Sequence, residues 1–251
     1  MPSTLHNNSL LLKTLRATLI LAALSPCVLQ AQVPDVNQVL QRFVSALGGE
    51  KELEKIHTIT LRGTIDLPDF NANGTTTEYF QYPDHFAAVT DLGSHGTTKL
   101  VYDGKEGWQE DPRNGFSQVT GADLADIQRR AHIQWNQKLH EFYPNIHVID
   151  REVVNGEDAW KLEATLENFT FDFLFSVKTG LLIRFDTDRH MENGTSSVLI
   201  SDYRPVDKVL FAFGAEQTAG PVKWKRKLSE VKFDEPIDQS VFQKPAKTES
   251  K

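Results

Sequence analysis

The side chains that could do chemistry are concentrated in the stretch FDTDRHMENG, where acidic residues and a histidine alternate. Asp186, Asp188, His190 and Glu192 could bind a cation in an extended segment. A calcium loop also needs a turn glycine at a fixed spacing from its oxygen ligands, and this stretch has none there. The eight histidines are scattered, and no two stand at the spacing of a helical metal site. The sequence therefore predicts no metal site and no other cofactor.

Catalytic motifs are the second class of chemistry to consider. The chain contains no G-x-S-x-G nucleophile turn, no Walker loop and no dinucleotide-binding fingerprint. A hydrolase would instead need two carboxylates beside a histidine in one cavity. We therefore expect a protein that is not an enzyme.

Phenylalanines alternate along FDFLFSVKTGLLIRF, residues 171–185. A two-residue turn at Thr179 and Gly180 would place charged residues opposite this row. A three-residue loop, residues 178–180, keeps one face of the hairpin apolar. Gly180 can adopt the left-handed conformation that the last position of such a loop requires. We therefore predict the three-residue loop.

This loop fixes the predicted register of the hairpin. It pairs Phe175 with Ile183 and Phe173 with Phe185, and it builds a continuous apolar face. Each such side chain stabilises the fold by about 1.5–3 kcal/mol when buried, so another element must cover the face. The opposite face places Asp172 across from Asp186. Like charges in that position repel each other, so we expect this second face to be exposed to water.

The first 31 residues differ from the rest of the chain. Lys13 and Arg16 precede an apolar run, residues 17–29, and the segment ends at Gln30 and Ala31. This is the pattern of a secretory signal peptide, and we expect cleavage near Ala31. An N-terminal membrane anchor is the alternative, but a span needs about 20 apolar residues. The prediction is a periplasmic or secreted protein.

The net charge argues against a nucleic-acid partner. The chain of 251 residues carries a charge of -7, and removing Lys13 and Arg16 with the signal segment leaves -9. The one basic cluster lies in VKWKRKL. We interpret it as an exposed outer face; contact with anionic lipid headgroups is the alternative, which would make any membrane contact peripheral. Its residues are Lys223, Lys225, Arg226 and Lys227.

Hydrophobic periodicity predicts two helices among strands. The first helix begins after Pro34, ends before Gly48, and has one apolar stripe. A second helix begins at a capping box formed by Thr120 and Asp123 and continues to Phe142. Its apolar stripe includes Leu124, Ile127, Ala131 and Trp135, and its polar side carries Asp126, Arg129, Arg130 and Lys138.

The remaining segments predict about eleven strands. The apolar phase of the last strand changes between Leu228 and Val231, which indicates a β-bulge. Short links favour antiparallel pairing of neighbours, and a sheet of this size must curl or close. The predicted fold class is mainly β with helices (α+β): a single curled antiparallel sheet, or half-barrel, with an N-terminal helix and a central lid helix.

Six stretches in this order resemble the LolA and LolB family of periplasmic lipoprotein carriers, and more narrowly bacterial outer membrane lipoprotein-sorting proteins. They are FVSALGG (43–49), VYDGKEGW (101–108), VVNGEDAWKL (153–162), KTGLLIRFD (178–186), SDYRPVDKVLFAF (201–213) and EVKFDEPIDQSVF (230–242). After the signal peptide expected for residues 1–31, we predict a half-barrel domain like that of this family (32–243) and a polar tail (244–251). The resemblance also implies a hydrophobic cavity under a helical lid, which in the carriers receives acyl chains.

The resulting functional hypothesis is a non-enzymatic carrier or binding protein for lipid or lipoprotein acyl chains. We expect a monomer, with envelope proteins as further partners. The alternative is an envelope interaction or sensor scaffold whose aromatic row is a filled core. The predicted lid residues are Leu124, Ile127, Ala131 and Trp135, and the predicted cavity residues are Trp160, Phe171, Phe173, Phe175, Ile183, Phe185, Phe211 and Phe213.

Overall fold

The computed structural model describes residues 33–189, 191 and 194–244, so the predicted signal peptide and the tail beyond Lys244 lie outside the described residues. Within these ranges the strands form one curled, open, antiparallel sheet of thirteen strands. They are β1 (Thr58–Leu67), β2 (Ala72–Gln81), β3 (His85–Asp91), β4 (Thr97–Tyr102), β5 (Gly107–Asp111), β6 (Gly115–Val119), β7 (His147–Val154), β8 (Glu157–Leu166), β9 (Phe169–Ser176), β10 (Leu182–Thr187), β11 (Ser196–Val206), β12 (Val209–Ala219) and β13 (Lys225–Phe233).

Among the described residues, four α-helices and four short 3₁₀ helices accompany the sheet. In the described part of the chain, no helix has the length and apolar character needed to cross a bilayer. The α-helices are α1 (Val36–Leu47), α2 (Glu50–Leu53), α3 (Gly121–Ala131) and α4 (Leu139–Phe142), and the 3₁₀ helices are Pro68–Phe70, Gly93–His95, Trp135–Gln137 and Gln239–Phe242.

The strand order consists of two meanders joined at the middle of the sheet. The order is β6-β5-β4-β3-β2-β1-β13-β12-β11-β10-β9-β8-β7, and the two meanders meet where β1 pairs with β13. The predicted antiparallel pairing of neighbours is confirmed. Because β6 and β7 follow each other in the chain but lie at opposite edges, residues 120–146 must cross the sheet. They cross its concave face.

Helix α1 covers the concave face of the second meander, as its apolar stripe predicts. Asp35 and Gln38 form a capping box at its start, and Gly48 ends it at a φ of 129°. A Cβ atom on Gly48 would lie 2.5 Å from the Lys208 carbonyl oxygen, so only glycine fits this close approach. Phe43 is buried, and its ring lies 5.0 Å from that of Phe175.

The predicted single helix over 120–142 is wrong. Helix α3 ends at Ala131, and a 3₁₀ turn and the short α4 follow it. The backbone N–H of Ile133 donates to the Pro83 carbonyl at 3.2 Å, so the chain turns towards the sheet instead of continuing the helix. The capping box is also wrong, because the Thr120 side chain makes no capping hydrogen bond.

The phenylalanine hairpin matches its predicted register only in part. Phe173 pairs with Phe185, and Gly180 has a φ of 79°, as predicted. The pairing of Phe175 with Ile183 is wrong: Phe175 pairs with Leu182, and a bulge separates Leu182 from Arg184. The bulge turns Ile183 to the outer face, where it packs against the cluster formed by Val154, Ala159 and Leu174.

The outer face of this hairpin is not water-exposed as expected. Asp172 and Asp186 do lie opposite each other, but both side chains are largely buried. Lys161 lies 2.9 Å from the Asp172 carboxylate, and Arg184 lies 2.7 Å from that of Asp186. Burial raises the pKa of Asp172, and Lys161 partly opposes this rise. Lys161 and Arg184 thus neutralise the two carboxylates, so these side chains can be buried although they lie opposite each other.

The bulge predicted in the last strand is confirmed. The register between β1 and β13 shifts where Arg62 and Gly63 face Glu230 and Leu228. After β13 the chain returns to the outer face of the first meander, where Phe242 packs in the cluster of Ala87, Val101 and Trp108. Strands β3 and β4 are therefore covered on both faces, by α3 and by this C-terminal segment.

The packing of Phe173 gives a direct test of the fold. Its side chain is fully buried between Trp135, Tyr143 and Phe185. We expect Phe173→Ala to lower the free energy of unfolding by about 3–5 kcal/mol in denaturant titrations. Phe70→Ala, at a position with 43% exposure, is the control and should change it by about 0.5 kcal/mol or less. Equal losses would contradict this arrangement of the core.

Candidate functional site

A cavity with two adjoining lobes lies between the concave face and the segment that crosses it. The lobes have volumes of about 470 Å³ and about 420 Å³. Ligand pockets in proteins measure about 300–1,000 Å³, so either lobe has the size of a binding site. The residues that line both lobes are Arg130, Trp135, Asn136, Phe185, Phe211 and Arg226.

Three of the predicted phenylalanines line this cavity. Phe171 faces the first lobe, and Phe185 and Phe211 face both. Phe185 stands between Phe171 and Phe173, at 6.2 Å and 5.2 Å between ring centroids. Their rings, together with that of Trp135, give the cavity its apolar wall.

Other predicted cavity residues belong to the packed core. Phe173 and Phe175 are fully buried under Trp135 and Phe43, and they leave no room for a ligand there. Trp160 pairs with Phe175 on the neighbouring strand and stacks under the Arg151 guanidinium at 5.6 Å. The free space lies beside this packed region, towards β12 and β13.

Two predicted cavity residues lie elsewhere. Ile183 faces outward because of the bulge in β10 and lines a groove on the outer face with Leu181 and Leu199. Phe213 packs against Leu61, Leu228 and Val231 and lines neither lobe of the cavity.

The apolar stripe of α3 does not form the roof of the cavity. Leu124, Ile127 and Ala131 pack against Phe86 and Tyr102 of the first meander. Of the predicted lid residues, only Trp135 lines the cavity, and it lies beyond the end of α3. The helix is thus anchored on one side of the cavity and presents its polar side to it.

The cavity is therefore lined by charged residues whose helical spacing predicted exposure to solvent. Asp126, Arg129 and Arg130 of α3 line its first lobe. Helical periodicity could not reveal this, because a polar stripe is normally exposed. For Arg226, by contrast, the sequence pattern does indicate an inward position. Arg226 stands two residues from Trp224 and from Leu228, so strand alternation places it on their face and not with the outward lysines.

Glu78 and two arginines form an ion cluster at the junction of the lobes. The Arg226 guanidinium donates to Glu78 at 2.6 Å, and that of Arg130 donates at 3.1 Å. The Glu78 side chain is only 5% exposed. Burial raises its pKa, but the two arginines outweigh this effect and hold the pKa below its usual value. Glu78 is therefore a carboxylate at neutral pH.

Two further groups shape the electrostatics of the first lobe. Arg189 is buried, and its Nε lies 2.7 Å from the Asp126 carboxylate, which also pairs with Arg129. Burial raises the pKa of Tyr143 to about 12, so its hydroxyl stays protonated. The lobe thus combines an apolar wall with a charged rim.

The residues considered for cation binding do not converge. Asp186 accepts hydrogen bonds from Arg184, and Asp188 accepts one from the Thr170 backbone. His190 and Glu192 lie outside the described residues. Across the described ranges, no group of three or more histidine, cysteine or acidic side chains could hold a metal ion.

Comparison with known proteins reveals similarity in fold and not in sequence. The chain matches no family model, and no curated protein is similar to it. A DUF1329 family protein from Desulfovibrio piger superposes with a TM-score of 0.59 at 13% identity, over 83% of this chain and 97% of that one. A LolA superfamily protein from Nitrosomonas europaea gives 0.57 at 11% identity, over 84% and 98%.

A third structure agrees with these two. A domain described as that of an outer membrane lipoprotein-sorting protein, from Vibrio parahaemolyticus, gives a TM-score of 0.50 at 12% identity over 82% of this chain and 97% of that one. The fold is LolA-like. The three superpositions cover 82–84% of this chain and 97–98% of the other chains.

The ion cluster makes stability depend on pH. A carboxylate with a depressed pKa stabilises the folded state above its unfolded value, near 4.5, and this stabilisation is lost as pH falls through the folded value. We expect Glu78→Gln to lower the free energy of unfolding at pH 7 by about 1.5–3 kcal/mol, because two charged hydrogen bonds are weakened. In urea titrations this difference from the unmodified protein should shrink at pH 3.

The matched control is Glu54→Gln, which removes an exposed carboxylate. It should change the stability little at either pH. A constant difference between Glu78→Gln and the unmodified protein from pH 7 to pH 3 would contradict the depressed pKa.

Proposed function

We propose that this protein is a non-enzymatic binding or carrier protein for an apolar ligand, with acyl chains of lipid or lipoprotein as the ligand class. The observation that carries the proposal is the two-lobed cavity, with volumes of about 470 Å³ and about 420 Å³ and an aromatic wall of Phe171, Phe185 and Phe211. Moving an acyl chain from water into such a wall is favourable by about 25 cal/mol per Å² of apolar surface buried.

The composition of the wall limits how such a ligand is recognised. Aromatic and aliphatic side chains contact an alkyl chain without directional bonds. Such a wall therefore discriminates only weakly between chains of different length or branching. The second lobe adds Leu182, Ile200 and Leu210 to the apolar surface. A carrier benefits from this arrangement, because it must release its ligand as well as bind it.

The structural relatives support the same class of function. One is a LolA superfamily protein and another is described by outer membrane lipoprotein sorting. We extend that role to this chain on the strength of the cavity, since identities of 11–12% support a common fold alone. The signal peptide predicted for residues 1–31 and an export to the periplasm belong to the same proposal.

A second candidate function is an interaction scaffold of the cell envelope without a ligand. The packing of Phe173 and Phe175 favours it, because both are fully buried under Trp135 and Phe43. Under this alternative the remaining cavity would have no occupant, and the covering segments would serve only to close the core.

Filling the second lobe separates these two functions. Ala215 lines that lobe, whereas Ala219 is exposed near the end of the same strand. We expect Ala215→Trp to weaken binding of the neutral fluorescent probe Nile red by about tenfold or more, equivalent to about 1.4 kcal/mol. Ala219→Trp introduces the same side chain outside the cavity and should bind like the unmodified protein.

Native mass spectrometry of protein purified from its own host supplies the second readout. Co-purifying lipid in the unmodified protein, reduced in Ala215→Trp, is the expected result. Absence of both lipid and Nile red binding would reject the carrier function in favour of the scaffold.

A further inference from the structure

The ion cluster of Arg130, Glu78 and Arg226 separates an apolar space from a polar one. On one side are the two lobes with their aromatic wall. On the other side is a hollow of about 470 Å³ over β1–β5, which the same three residues and Trp224 also line. Its remaining lining is largely polar and includes Thr76, Thr90, Thr98, Lys99, Gln109, Glu110 and Asp111.

The lining of the two-lobed cavity is positively charged, whereas the chain as a whole is negatively charged. Four arginines line the cavity, against the carboxylates of Glu78 and Asp126, and Glu167 lies 3.6 Å from Arg189, which leaves an excess of one positive charge. The chain as a whole carries -7. Because a buried charge is costly unless it is paired, an uncompensated excess of arginines in an apolar cavity favours an anion there.

The geometry of the cluster shows where this excess lies. One Glu78 carboxylate serves both guanidinium groups, so the cluster itself carries one net positive charge. The Nε of Arg226 is buried and has no hydrogen-bond partner among the described residues. The Arg130 side chain remains 49% exposed, and its guanidinium is held over the Phe86 ring at 4.6 Å. Both arginines therefore retain donors that Glu78 does not use.

We infer that the cavity binds an anionic amphiphile, whose carboxylate or phosphate head lies at Arg130 and Arg226 and whose alkyl chain lies along Phe171, Phe185 and Phe211. Arginine presents paired N–H donors that match carboxylate and phosphate oxygens, and such charged hydrogen bonds are shorter and stronger than neutral ones. This inference rests on the proposed function, since it names the class of ligand that the same cavity takes.

The experiment compares ligands that share one chain and differ in the head. Dodecanoate, dodecyl phosphate and dodecanol, each below its self-association concentration, compete with bound Nile red at pH 7.5. We expect at least one of the two anionic ligands to bind about tenfold or more tightly than dodecanol, equivalent to about 1.4 kcal/mol. The affinity for dodecanol measures how well the cavity binds the alkyl chain. The ratio of the anionic-ligand affinity to the dodecanol affinity measures the contribution of the arginines.

Variants of the cluster should shift that ratio in opposite directions. Arg226→Gln and Arg130→Gln remove donors and should reduce the ratio of anionic-ligand affinity to dodecanol affinity by about tenfold, equivalent to about 1.4 kcal/mol. Glu78→Gln removes the carboxylate that competes for both arginines and should increase the preference. Lys225→Gln is the matched control, because Lys225 precedes Arg226, is 46% exposed and pairs with Glu216.

The outcomes separate the two proposals. Tighter binding of an anionic ligand, lost in Arg226→Gln or Arg130→Gln and kept in Lys225→Gln, supports the inference. Equal affinities for all three ligands overturn it and leave the carrier function intact, with the arginines only fastening α3 to the sheet. If neither Nile red nor dodecanol binds, the carrier function itself fails. Circular dichroism identifies any variant that does not fold, and the remaining cluster variants then decide.

Discussion

The position of β6 and β7 at opposite edges of one sheet is the constraint on which the rest of the structure depends. Consecutive strands normally pair, so a chain that separates them must span the whole sheet with the segment between them. Residues 120–146 do this across the concave face, and they bring Trp135 over Phe173 and Arg130 into the lining of the cavity. The roof of the cavity and, together with α1, the cover of the core therefore follow from one topological feature.

The ion cluster around Glu78 joins the elements that this crossing brings together. Glu78 comes from β2, Arg226 from β13 and Arg130 from the last turn of α3. Burying the Glu78 carboxylate costs solvation free energy, and the two arginines that donate to it outweigh this cost. Neighbouring strands already hold β2 and β13 in place through β1, so the contact that the cluster adds to the fold is the one from Arg130, which fastens α3 to the sheet.

Sequence reasoning succeeded where the signal is local and periodic. The stripe of α1 around Phe43, the pairing of Phe173 with Phe185 and the bulge near Leu228 all follow from side-chain alternation or helical spacing, and the structure has each of them. It failed where a single residue changes the phase. The bulge after Leu182 moves Ile183 to the other face, and a turn towards the sheet ends α3 at Ala131. In neither case does the local pattern differ from that of a regular element.

The sequence by itself determined the antiparallel sheet, its apolar face and the need for helices to cover that face, because burial of alternating apolar side chains leaves few other arrangements. Only the tertiary structure decided which aromatic residues are packed and which face free space. Phe173 and Phe185 are equivalent in sequence pattern, yet Trp135 covers the first and the cavity adjoins the second. A cavity is a small difference between the volume that the elements enclose and the volume that side chains fill, and no local pattern encodes that difference.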